Sequence, residues 1–125
     1  MIGVERTDFV SVPVRDLDRA KTFYGETLGI RRNPKAHESY PEFETGNLTI
    51  ALLVPSEDFT PTSSSIALRV PDVAVARKQL ESAGVEFDGE TLDTGVCHMA
   101  FFSDSDGNAL MLHRRYAPYS DGTTP

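Results

Sequence analysis

The chain has 125 residues, 39% hydrophobic and 25% charged, a balance that fits a folded domain rather than a disordered segment. Its 19 acidic against 12 basic residues give a net charge of −7, which argues against nucleic acid and anionic membrane surfaces as main partners, since both need a basic face. No apolar run approaches the roughly 20 residues of a membrane span, and Met1–Asp8 lacks the basic and apolar regions of a signal peptide, so a cytoplasmic location is expected.

Val10, Val12 and Val14 alternate with other residues, the period of a strand with one buried face. Asp16 suits a helix N-cap, Leu17, Ala20, Phe23, Tyr24 and Leu28 recur at helical spacing, and Gly29 can take the left-handed stop. Strands are predicted near Ile30–Asn33, Tyr40–Glu44 and Leu48–Val54, the last two joined by a turn at Thr45-Gly46-Asn47. The proline- and serine-rich stretch 55–64 reads as a linker.

A shift of 56 residues then returns the first pattern as Ile66, Leu68, Val70, Asp72-Val73 and Ala76, with Leu80 and Ala83 on the helix face and Gly84 as its stop. Strands follow near Val85–Phe87, Cys97–Ser103 and Ala109–Arg114, the last two joined through Asp104-Ser105-Asp106-Gly107-Asn108. Each half therefore reads β-α-β-β-β. The expected organisation is one α+β domain with a first module at about 7–54, a linker at 55–64, a second module at about 65–115 and a polar, frayed tail at 116–125. A ferredoxin-like fold has only two strands between its helices and does not use the length present here.

Val14-Arg15-Asp16-Leu17-Asp18-Arg19-Ala20, with Phe23-Tyr24 and Leu28-Gly29-Ile30, resembles the first module of the vicinal oxygen chelate superfamily. The run Phe101 to Leu110 resembles that superfamily's second-module signature, an aromatic followed by Asp-Pro-Asp-Gly-Asn, with Ser105 in place of the proline. The superfamily includes glyoxalase I, extradiol dioxygenases, fosfomycin-resistance enzymes and bleomycin-binding proteins. The resemblance implies tandem βαβββ modules whose curved mixed sheet carries the helices on its convex face and encloses a cavity, in a chain that pairs as a homodimer. It also implies a divalent metal in the enzymes, on ligands from the first, fourth, fifth and last strands.

Counting from the matching motifs places Phe9, Ala51, Ser65 and Met111 at those four positions. Phenyl, methyl, a lone hydroxyl and a thioether make no hard-cation site, and a one-residue slip adds only Asp8. The expectation is a protein with no metal and no cofactor.

The strand period fills the remaining face. If Val10, Val12, Ile66, Leu68, Leu110 and Leu112 face the helices, then Phe9, Ser11, Thr49, Ala51, Leu53, Ser65, Ala67, Arg69, Met99, Phe101, Met111 and His113 face the other way. This lining is mostly apolar, with one fixed cation and one imidazole. It suits an aromatic or amphipathic small molecule bearing an acidic or hydrogen-bonding group. The candidate ligand-binding residues are Phe9, Ser11, Thr49, Ala51, Ser65, Arg69, Met99, Phe101, Met111 and His113, with the Asn33–Ser39 stretch around His37 read as a loop over them.

The other candidates carry less. Cys97 and His98 are adjacent on a strand and point to opposite faces, so they cannot act together, and the thiol reads as buried and inert. The Asp104–Asn108 run departs from a calcium loop in its glycine and glutamate positions and reads as a hairpin turn. Arg31-Arg32 and Arg114-Arg115 read as rim salt-bridge partners. The sequence thus points to metal-independent small-molecule binding, in the manner of bleomycin-binding proteins. The alternatives are a metal-dependent glyoxalase-like lyase, isomerase or dioxygenase, a cofactor-free enzyme using His113 as general base, and a structural or regulatory dimer.

Overall fold

The structure is a computed structural model that describes residues 1–56 and 58–125; Glu57, inside the predicted linker, lies outside the described residues. The chain forms two compact units, Met1–Pro61 and Thr62–Pro125. Each holds a four-stranded mixed sheet and one principal helix, the α+β architecture expected from the repeat.

In the first unit β1 (Phe9–Pro13) leads into α1 (Leu17–Thr22). The Asp16 carboxylate accepts the Arg19 N–H at 3.0 Å, so the predicted N-cap is in place. The helix then widens into a π-helical turn, Phe23–Thr27, whose closing bond runs from Leu28 N–H to Phe23 O at 2.9 Å. That widening packs Tyr24, fully buried, against Phe43 with ring centroids 5.8 Å apart. Gly29 stops the segment at φ 70°. Then come β2 (Arg31–Arg32), β3 (Glu42–Glu44) and β4 (Thr49–Leu53), in the sheet order β1-β4-β3-β2. Strand β1 runs parallel to β4 in the register Phe9↔Thr49 to Pro13↔Leu53. Val12, Phe43, Ile50 and Leu52 are buried with Ala20 and Tyr24 as the core of this unit.

The second unit repeats the plan with β5 (Ile66–Arg69), α2 (Val73–Ser82), β6 (Phe87–Asp93), β7 (Cys97–Ser103) and β8 (Ala109–Arg115), in the order β5-β8-β7-β6. Asp72 caps α2 by accepting the Val75 N–H at 3.0 Å. Val73 and Leu80 bury the inner face of α2, and Ala100, Phe102, Leu110 and Leu112 bury one face of the sheet. The Asp104–Asn108 turn closes on itself: Asp104 Oδ1 accepts the N–H groups of Asp106 (2.8 Å) and Asn108 (2.9 Å), and its Oδ2 accepts Asn108 Nδ2 (2.8 Å). Asn108 Oδ1 in turn accepts the Thr62 N–H at 2.8 Å and anchors the approach to β5.

Three expectations need correction. The strand expected at Val85–Phe87 runs instead over Phe87–Asp93, because the Val85 N–H is used to close the helix end on Leu80 O (2.9 Å), and because a register irregularity between Asp88 and Leu92 breaks the alternation. The tail is turned back rather than frayed. Arg115 donates to the carbonyls of Ala117 (2.9 Å) and Pro118 (2.8 Å), and Tyr116 donates to Asp93 (2.8 Å). Arg31, Arg32 and Arg114 form no salt bridge among the described residues, Glu44 opposite Arg31 accepts the Thr49 hydroxyl instead, and Arg115 spends its donors on backbone carbonyls. Among the described residues no helix is long and apolar enough to cross a membrane.

Candidate functional site

Register partners on neighbouring strands share a face, so the ladders place every candidate except Ser65 on a face of its sheet. In the first unit one row runs Phe9, Thr49, Glu44, Arg31 and the next runs Ser11, Ala51, Glu42. This is the face opposite the buried Val12, Ile50, Leu52 and Phe43. Phe9 is 56% exposed there, an unusual exposure for an aromatic ring on a strand. The Thr49 hydroxyl donates to Glu44 Oε2 at 2.8 Å, and Asn33 Nδ2 donates to Glu42 Oε1 at 3.2 Å. Two carboxylates therefore sit among the candidates Phe9, Ser11, Thr49 and Ala51. Sequence reasoning missed them, although the Glu42-Phe43-Glu44 alternation carried the signal.

In the second unit one row runs Ala67, Met111, Phe101, Asp88 and the next runs Arg69, His113, Met99, Leu92. Arg69 is exposed, whereas His113, Met99, Phe101 and Met111 are half-buried. The helix side of the same strands is closed by Leu110, Leu112, Ala100 and Phe102, so these side chains are held by a sheet that is packed on its other face. Ser65 lies outside the ladder, one residue before β5, and its hydroxyl is not in either row.

Neither the Arg69 guanidinium nor the His113 imidazole has a hydrogen bond or ion pair among the described residues; the His113 backbone carbonyl accepts the Val70 N–H at 3.1 Å. The chain's other basic and imidazole groups include several that are committed. His98 lies 3.4 Å from Asp93 and its ring is 4.9 Å from that of Tyr116, His37 accepts the Ser39 N–H, and Arg77 donates to Thr91 and Gly89. Cys97 is buried with its sulfur 3.1 Å from Thr94 Oγ1, and its register partner is Arg115 whereas that of His98 is Arg114. The thiol and that imidazole face opposite ways.

The donors at the four positions where related enzymes place metal ligands do not suit a divalent ion. Phe9 and Ala51 stand on one open face and Met111 on the other, Ser65 precedes its strand, and none offers a nitrogen or carboxylate donor. Among the described residues no three His, Cys, Asp or Glu side chains converge as a metal site. What the second unit's face offers instead is apolar contact from polarisable thioethers and a phenyl ring, with two nitrogenous donors at one end.

Residues 6–112 match the family profile described as Glyoxalase/Bleomycin resistance protein/Dioxygenase superfamily. A glyoxalase/bleomycin resistance protein from Streptomyces sp. CB03234 is 31% identical over 88% of this chain and 100% of its own, with a TM-score of 0.70. TnmS3, an antibiotic binding protein from the same Streptomyces, is 29% identical over 92% of this chain and 99% of its own, with a TM-score of 0.76. A glyoxalase family protein from Bacillus anthracis, 24% identical over 92% of this chain and 98% of its own, shares the fold at a TM-score of 0.78.

Proposed function

The chain belongs to the Glyoxalase/Bleomycin resistance protein/Dioxygenase superfamily, and on that premise we propose that it is a small-molecule-binding protein that holds an aromatic or amphipathic ligand without a metal ion and without a chemical step. The observation that carries this reading is the open face of the second sheet. Met99, Phe101 and Met111 keep part of their surface exposed on strands whose other face is fully packed. Such a surface is apolar, preorganised and adaptable, because thioethers repack around ligands of different outline. The antibiotic-binding relative is in keeping with this class of ligand.

The chemistry of Phe9, Ala51, Ser65 and Met111 supports the metal-free form of the reading over a lyase, isomerase or dioxygenase. His113 supports binding over general-base catalysis, because no carboxylate among the described residues orients its imidazole as a catalytic base requires. A cytoplasmic homodimer is the working form this reading expects.

Calorimetric titration of fused-ring aromatic compounds into chelator-treated protein tests it. Saturable binding without heat of turnover, unaltered when zinc, nickel, manganese or iron is restored, is the expected result. Binding or turnover that appears only after metal is restored would overturn it.

A further inference from the structure

Arg69 on β5 and His113 on β8 are Cα partners in a parallel ladder, so their side chains leave the same face from strands about 4.8 Å apart. Their row continues into Met99 and Leu92, and the neighbouring row presents Met111 and Phe101. In a chain of net charge −7, an arginine and a histidine side by side would be expected to recruit a carboxylate. Neither has one: among the described residues neither side chain makes an ion pair or hydrogen bond, and Asp88, a carboxylate in the register of that face, stands one row away and two strands over from His113. Two donors at the edge of an apolar surface, both uncommitted, form a receptor for a group the protein does not supply.

From this we infer that Arg69 and His113 together recognise the anionic group of the ligand, whose class is a flat apolar ring system bearing a carboxylate or an equally acidic hydroxyl. The inference rests on the small-molecule-binding reading above and narrows it. The guanidinium offers a paired N–H fork to the anion and the imidazole offers a further N–H, while the rings lie over Met99, Phe101 and Met111.

The groups facing His113 leave its imidazole open to the ligand. Arg69 faces it from β5, Met99 and the buried Cys97 from β7, and Met111 and Arg115 from its own strand; Arg115 is held by the Ala117 and Pro118 carbonyls and lies over the Tyr119 ring. No carboxylate occupies its row or the adjoining strands, so the ligand's anion meets no competing partner there.

The test uses matched acid, amide and amine derivatives of naphthalene, anthracene and pyrene, titrated calorimetrically into the full chain. The acid is expected to bind at least about tenfold more tightly than the amide of the same ring, the gain of one charge-assisted contact, and the amine most weakly. The discrimination closes in R69Q and persists in K78Q, which removes an exposed charge from α2. H113Q narrows the preference for the acid without closing it, since the guanidinium remains. Melting transitions confirm that each variant is folded. An amide that binds as tightly as its acid, or discrimination that survives R69Q, overturns the inference and leaves the binding reading standing. Failure of all nine compounds to bind overturns both.

Discussion

The Tyr116 hydroxyl donates a 2.8 Å hydrogen bond to Asp93 Oδ1, and through it the segment after β8 is fastened to the end of β6. The Gly95 N–H shares that oxygen at 2.9 Å, and His98 Nε2 lies 3.4 Å from Asp93 Oδ2. The Gly95 N–H first, then the Tyr116 hydroxyl, hold the Asp93 carboxyl below its ordinary 3.8, while the same bond pushes the Tyr116 phenol above its ordinary 10.0.

The signs fix the pH window of this clasp. A depressed carboxyl contributes stability that is present above pH 3.8 and lost as pH falls through the lowered value. A raised phenol contributes stability that is present below pH 10.0 and lost as pH rises through the raised value. In D93N the phenolate absorbance of Tyr116 is expected to develop at lower pH than in wild type. A titration unmoved by D93N would contradict the clasp.

A Cβ added at Gly25 would meet Phe43 Cε1 at 3.3 Å, inside the π-helical turn. Phe43 is 1% exposed and packed against Tyr24, so it has little room to yield. Overpacking is expected to outweigh the gain in helix propensity, and G25A loses about 1 kcal/mol in urea unfolding. Pairing it with F43L removes the clash, so the two changes are expected to cost less together than the sum of their separate effects.

Asp104 satisfies three donors of its own turn while nearly buried, at 6% exposure. D104A removes the carboxylate that accepts from two backbone N–H groups and the Asn108 amide, a loss of about 3 kcal/mol by chemical denaturation. D104N, which keeps one acceptor oxygen, is expected to fall between D104A and wild type.

Much of this was legible in the chain. The β-α-β-β-β repeat followed from Val10, Val12 and Val14 against Ile66, Leu68 and Val70, because one buried sheet face imposes period two and Asp16 and Asp72 mark where it ends. The same parity put Phe9, Ser11, Thr49 and Ala51 on one face and Arg69, Met99, Phe101, Met111 and His113 on another. What escaped depended on interactions that pattern does not encode. The irregularity between Asp88 and Leu92 breaks the alternation of β6, and the π-helical turn at Phe23–Thr27 adds a residue that helical spacing alone does not announce. The tail is held by side-chain bonds from Arg115 and Tyr116. Glu42 and Glu44 lie outside the positions at which the resemblance implies metal ligands, and only the register of β3 on β4 puts them on the face of Ala51 and Thr49.

The chain's three methionines give the most direct test of the central claim, since Met99 and Met111 lie on the open face of the second sheet while Met1 is fully exposed at the terminus. The measurement is methyl NMR of chelator-treated protein labelled at methionine, titrated with a fused-ring aromatic acid. The expected result is ring-current shifts of the Met99 and Met111 methyl signals that saturate with the ligand, with Met1 unmoved. Saturable binding that leaves both signals in place, or shifts that require added divalent metal, would contradict it.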